Sequence, residues 1–159
     1  MRYSFLSLES GNDPTSVALP VSTPNAEGAP RGPEPDEAVR LITGEYAKGE
    51  NGRLARMRLT EGRSTLTDVH VPAITEMQGA VVHNGVWFVN ASRGDKRGGD
   101  LWVGTPGKMV RHTGVLPPGP EDNAVWADHN QIWSVTEFPG KRWIYAVELD
   151  RWRNGPAAH

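Results

Sequence analysis

Four carboxylates in the chain stand where it is predicted to turn: Glu76 in "PAITEMQ", Glu121 and Asp122 in "LPPGPED", and Glu137 in "EFPGK". Gathered at one mouth, they could take a hard cation such as calcium, which collects roughly six to eight oxygens. If burial split their pKa values, the same groups could do acid–base work on a substrate. The plainer alternative keeps Glu121-Asp122 as a turn cap and Glu137 as a hydrogen-bonding link between neighbouring units. Other residue types suited to ligand contact fall on the same connections: Glu45 and Tyr46 in "EYAKGENG", Gln78 beyond Glu76, Arg93 in "SRGDKRGG", and Phe138 beside Glu137.

Other chemistries are excluded by what the sequence lacks. Its five His show no metal-ligand spacing, and His83 and His129 adjoin predicted turns, where exposed positions are expected. With no Cys there is no disulfide framework, thiolate metal site or thiol nucleophile. No G-x-S-x-G elbow occurs, and the glycine-rich stretches "GENGRLAR" and "GDKRGGD" match neither a phosphate loop nor a dinucleotide fingerprint. Arg93, Lys96 and Arg97 lie near Trp102, a pairing that can stack single-stranded nucleic acid. Two aspartates interrupt that patch and the net charge is −2, so no nucleic-acid partner is expected. The tripeptide Arg93-Gly94-Asp95 and the sequon at Asn90 are too short to assign a function. No window approaches the ~18 apolar residues of a membrane-spanning helix. The opening "YSFLSL" falls short of the roughly 7–15 apolar residues of a signal peptide, so the chain itself assigns no compartment.

The elements that must position these residues are short strands. Eighteen Gly and thirteen Pro punctuate the 159 residues, and six Trp suit half-buried sheet surfaces. Three stretches read as the same hairpin: "VRLITGEYAKGENGRLARMRL", "GVWFVNASRGDKRGGDLWVG" and "QIWSVTEFPGKRWIYAVELDRW". Their turn glycines Gly49, Gly94 and Gly140 are 45 and 46 residues apart, and seven residues before each stand Ile42, Trp87 and Trp133. Adding the strands "GAVVHNG" and "NAVWADHNQ" before two hairpins, and "STLTDVHVP" and "KMVRHTGVLP" after two, gives four-stranded units with the period of a β-propeller blade. In such a unit the turn between the second and third strands and the connection to the next unit emerge at the same end, which is where all the candidate residues lie. Trp87 and Trp133 read as packing between units, while Trp102, Trp126 and Trp143 stand on predicted strands where they could meet a ligand.

The expected fold is all-β: a propeller-like repeat of about three four-stranded blades plus a partial one, not a complete ring. Residues 1–21 are expected as a partial blade, 22–38 as a loop or linker, 39–75, 76–118 and 119–150 as blades, and 151–159 as a tail. Copies of the chain could complete the ring as a homo-oligomer.

Gln78-Gly79, the corner Gly119 to Asp122, and Trp133 to Glu137 in "IWSVTEFPGKRWIYAVEL" resemble the C-terminal blades of uncharacterised secreted bacterial β-propeller proteins. That resemblance implies a propeller and an extracellular setting, and it brings no assigned activity. The function expected is a non-catalytic binding or interaction module for a protein, peptide or glycan, needing no cofactor, with calcium the ion its carboxylates would take. The alternative is a metal-assisted hydrolase or lyase using Glu76, Glu121, Asp122 and Glu137.

Overall fold

A computed structural model of the chain describes residues 2–10, 39–60, 63–140 and 142–153. They form strands β1 (Arg2–Ser10), β2 (Val39–Ala47), β3 (Leu54–Thr60) and β4 (Arg63–His70), then β5 (Met77–His83), β6 (Val86–Ala91), β7 (Gly99–Thr105) and β8 (Lys108–Leu116). Strands β9 (Pro120–Trp126), β10 (Gln131–Thr136) and β11 (Ile144–Glu148) follow, and a short helix α1 (Leu149–Arg153) closes the described chain. The fold is all-β, with three antiparallel sheets, β1–β4, β5–β8 and β9–β11, that are not closed into a ring. A short parallel pairing of Glu9 with Val82 and Ser10 with His83 joins the first sheet to the second.

Burial explains the layering. Every residue of β5 is buried, and all of β6 beyond Val86. A strand has two faces, so burial along its length requires a layer on each side. Ile42 and Leu54 of the first sheet share one core with Val82, Trp87 and Val89. Ile132 and Leu149 share the other with Val81, Phe88, Leu101 and Leu116. Successive residues of β5 and β6 therefore serve opposite cores, and the second sheet is the middle layer.

The inner strands β1, β5 and β9 pack beside one another. Gly79 makes the β5–β9 approach feasible: a Cβ there would stand 2.7 Å from Asp122 Cα and 2.8 Å from the Glu121 carbonyl oxygen. The Gln-Gly pair singled out in the sequence thus has a packing reason. Between β5 and β6 the turn is Asn84-Gly85, with φ of +50° and +76°, the geometry of a tight hairpin that matches strand twist.

One expected boundary is corrected. Residues 2–10 are not part of a separate partial blade; β1 pairs antiparallel with β2, from Arg2 opposite Ala47 to Leu8 opposite Leu41. It pairs with β2 as β5 pairs with β6 and β9 with β10. Residues 11–21 of the partial blade and the linker 22–38 lie outside the described residues. The expected tail is also changed at its start, because Leu149 is fully buried and anchors α1, whose Trp152 packs edge-on against His112 at 4.7 Å between centroids.

Candidate functional site

Each repeat turn must reverse the chain in few residues, and Gly49, Gly94 and Gly140 do so with φ of +73°, +82° and +76°, a region costly for side-chain-bearing residues. These turns and the connections between sheets are knitted together by backbone hydrogen bonds. Gly52 N–H donates to Ile74 O, Glu76 N–H to Ala47 O, Ser92 N–H to Glu76 O, and Glu137 N–H to Gly119 O, at 3.0 to 3.1 Å. Glu76 is thus clamped between the first and second sheets, with a left-handed φ of +54°. Such a conformation costs about 1–3 kcal/mol in a non-glycine residue and persists where its surroundings hold it.

A half-open cleft of about 350 Å³ opens beside Glu76. The connection from β4 to β5 lines one side with Ala73, Thr75 and Glu76. The rest of the lining includes Ser92, Arg93 and Arg97 from the β6–β7 turn, with Asp100, Trp102 and Arg111 on β7 and β8. Asp100 is 2% exposed and acts as the hub. Its Oδ2 accepts from Arg111 Nε at 2.8 Å and from Arg111 Nη2, its Oδ1 accepts Gly114 N–H at 2.9 Å, and Arg93 forms an ion pair with it at 3.6 Å. A register shift between Gly99 and Leu101 accounts for this aim: the ladder is interrupted at Asp100, opposite the left-handed Gly114. Arg111 also lies 5.5 Å over the Trp102 ring, its direct cross-strand partner.

On the other side of Glu76 the charge is negative. Burial, first of all, pushes the Tyr46 hydroxyl pKa up, and the nearby Glu76 and Glu137 carboxylates add to this. Glu121 is pushed up to about 7 by burial, then by the charge of Glu137, a hydrogen bond with the Glu137 carboxyl, and the charge of Asp122. Phe138 packs against Gly119, where a Cβ would collide with its ring. Among the described residues, no group of three or more His, Cys, Asp and Glu is arranged to hold a metal ion.

Beneath this surface Asn90, 1% exposed, reaches from β6 into the third sheet. Its Nδ2 lies within donating distance of the Glu121 carbonyl oxygen at 3.0 Å, Ser134 Oγ at 3.2 Å, and Asn123 Oδ1. The sequon Asn90 is therefore a structural link between sheets, closed to modification in the folded chain. Tyr145 lies beside it, its hydroxyl pushed up to about 12 by burial.

Of the residues expected to gather, Tyr46, Glu76, Glu121, Asp122 and Glu137 lie close enough to perturb one another, and Arg93 meets Glu76 in the cleft. Glu45 instead pairs with Arg53 at 3.0 Å across its own turn, and Gln78 is buried at 4% exposure. Asp122 is exposed, its Oδ1 accepting Asn123 N–H at 2.8 Å. Trp87 is buried as expected, whereas Trp133 is only partly covered and stands 5.8 Å from the exposed Trp126. His129 is exposed, but His83 is buried at 7% exposure and contacts the Asn84 amide at 3.1 Å. The residues missed altogether are Asp100 and Arg111. The available signal was the acidic residue between Gly99 and Leu101 on a strand otherwise apolar at that end.

No protein-family model matches the chain, and neither curated proteins nor solved structures provide a match.

Proposed function

We propose that the chain is a non-catalytic binding module built of propeller-type blades, recognising a peptide, protein or glycan at the end where its turns and sheet connections meet. The observation that carries this reading is the arginine-lined cleft formed by the β4–β5 connection and the second sheet, with a buried aspartate holding two of its arginines. Ligand sites characteristically combine such a concavity with a few fixed polar groups. An extracellular setting and a ring completed by further copies of the chain belong to the same reading, through the resemblance to secreted propellers and the unclosed sheets. The test is a glycan and peptide array probed with the purified chain. Signals that vanish on Arg111→Ala support the module, and arrays without signal above background count against it.

A second reading is favoured by the Glu121 carboxyl, raised to about 7 by burial and by its neighbour Glu137. A carboxyl whose pKa is raised toward neutrality by burial and a neighbouring carboxyl is the kind of group used for acid–base cleavage. This would make the same end a hydrolase or lyase site. Polysaccharide or ester turnover lost in Glu121→Gln supports it. The metal-assisted form requires, in addition, that calcium raise the melting temperature and that Glu121→Gln remove that rise.

A further inference from the structure

We infer that the cleft takes a small hydroxylated anion, a sugar acid or sugar phosphate, with Arg97 as its principal charge partner; this deepens the binding-module reading and rests on it. The charge balance within the cleft is the first argument. Arg93, Arg97 and Arg111 face two carboxylates, Asp100 and Glu76, which leaves one positive charge in excess. Asp100 already holds both Arg93 and Arg111, so those guanidiniums are fixed in place. Arg97, exposed at the mouth, has no ion-pair partner among the described residues. A guanidinium fork pairs with two oxygens of a carboxylate or phosphate at once, giving both strength and orientation.

The rest of the lining selects what the anion is attached to. Thr75 and Ser92 offer hydroxyls, and Glu76 offers a carboxylate that accepts hydrogen bonds from a ligand's hydroxyl groups. Glu76 also repels a second anionic group on the ligand, which favours a sugar bearing one such group. A volume of about 350 Å³ fits one sugar ring, at the small end of ligand cavities. A long polyanion is opposed by the chain's net charge of −2.

The experiment is calorimetric titration of the full chain at low salt with glucuronate, glucose 6-phosphate, glucose and sulfate. Glucuronate or glucose 6-phosphate is expected to bind, whichever binds naming the source of the anion, and more tightly than either glucose or sulfate. Arg97→Ala is expected to weaken that binding about tenfold or more, the loss of a charged hydrogen bond. Arg97→Lys should recover part of it, because charge is kept while the fork is lost. Lys108→Ala, at the start of β8 and outside the cleft lining, should leave binding unchanged. Arg97 is an exposed turn residue, so unliganded melting curves of its variants should match the parent and separate loss of binding from loss of fold. Glucose binding as tightly as the two anions, sulfate matching them, or undiminished binding by Arg97→Ala would each overturn the inference. Neutral ligands found on the arrays, with no anionic ones, sink this assignment alone; silence in both arrays and titrations sinks the binding module with it.

Discussion

Replacing Glu121 by Gln should stabilise the protein above neutral pH and do nothing in acid. The carboxyl has its pKa raised from 4.5 to about 7, first by burial and then by Glu137. The folded chain therefore binds a proton more readily than the unfolded one, and stability falls as pH rises through that window. Taken at full value, the span would be worth ~3 kcal/mol. Partial exposure of the side chain allows solvent to screen the interaction, which brings the expected effect to about 1–2 kcal/mol. Gln keeps the shape and stays neutral at every pH, while the Glu121 carbonyl oxygen keeps its bonds from Asn90 and Ser134. At pH 8 the variant should melt about 2–6 °C above the parent, given the shift per kcal/mol usual for a chain of this size. At pH 4 the two should coincide. The assay is thermal unfolding by circular dichroism at both pH values, always as variant against parent so that other titrations cancel. An equal gain at both pH values, or a loss at pH 8, would refute the coupled-carboxylate argument.

Three other outcomes are expected. Gly79→Ala should cost about 1–3 kcal/mol in denaturant unfolding, because its methyl would meet the β9 backbone rather than a yielding side chain; a neutral result would mean that β9 is not seated on β5. Burial lowers the His112 pKa below 6.5, so its contribution to stability is complete above pH 6.5 and declines as pH falls toward the folded value. His112→Phe should flatten that decline between pH 7.5 and 5.5, and an unchanged slope would exclude His112 as its source. Light scattering on the purified chain should return a discrete oligomer if copies complete the ring, since Val135, Trp143 and Ile144 of the third sheet are 42%, 52% and 73% exposed; a clean monomer refutes it.

How much of this was legible in the sequence depends on how local each determinant is. The turn glycines and the Asn84-Gly85 hairpin were visible because each is specified by the residues at the spot, whereas the approach of β9 to Gly79 depends on a distant strand and was not. The grouping of Tyr46, Glu76, Glu121 and Glu137 followed from placing connections at one end, which needs only strand order within each repeat. The partner of β1 was not visible: "RYSFLSLES" pairs across residues 11–38 with "VRLITGEYA", and strand pattern alone carries no address for a distant partner. Asp100 and Arg111 were hidden for a different reason. Charged residues on strands read as solvent-facing, and the irregularity that turns Asp100 inward is a matter of pairing register that one strand does not reveal.

The placement of β1 also bears on the order in which the chain folds. The second sheet is a meander whose neighbours are joined by short turns, and its hairpin at Asn84-Gly85 closes over two residues. Strand β1 must find β2 across residues 11–38, 28 in all. Loop-closure entropy makes that search costlier than the hairpin by ~2 kcal/mol before any contact compensates. The middle layer should therefore form first and serve as a template, with β1 entering last between β2 and β5. Pulse-labelled hydrogen exchange during refolding should protect β5 to β8 before β2. Until that final insertion the inner edge of β5 is open, and the interval before β1 docks is when this chain is most exposed to pairing with another copy of itself.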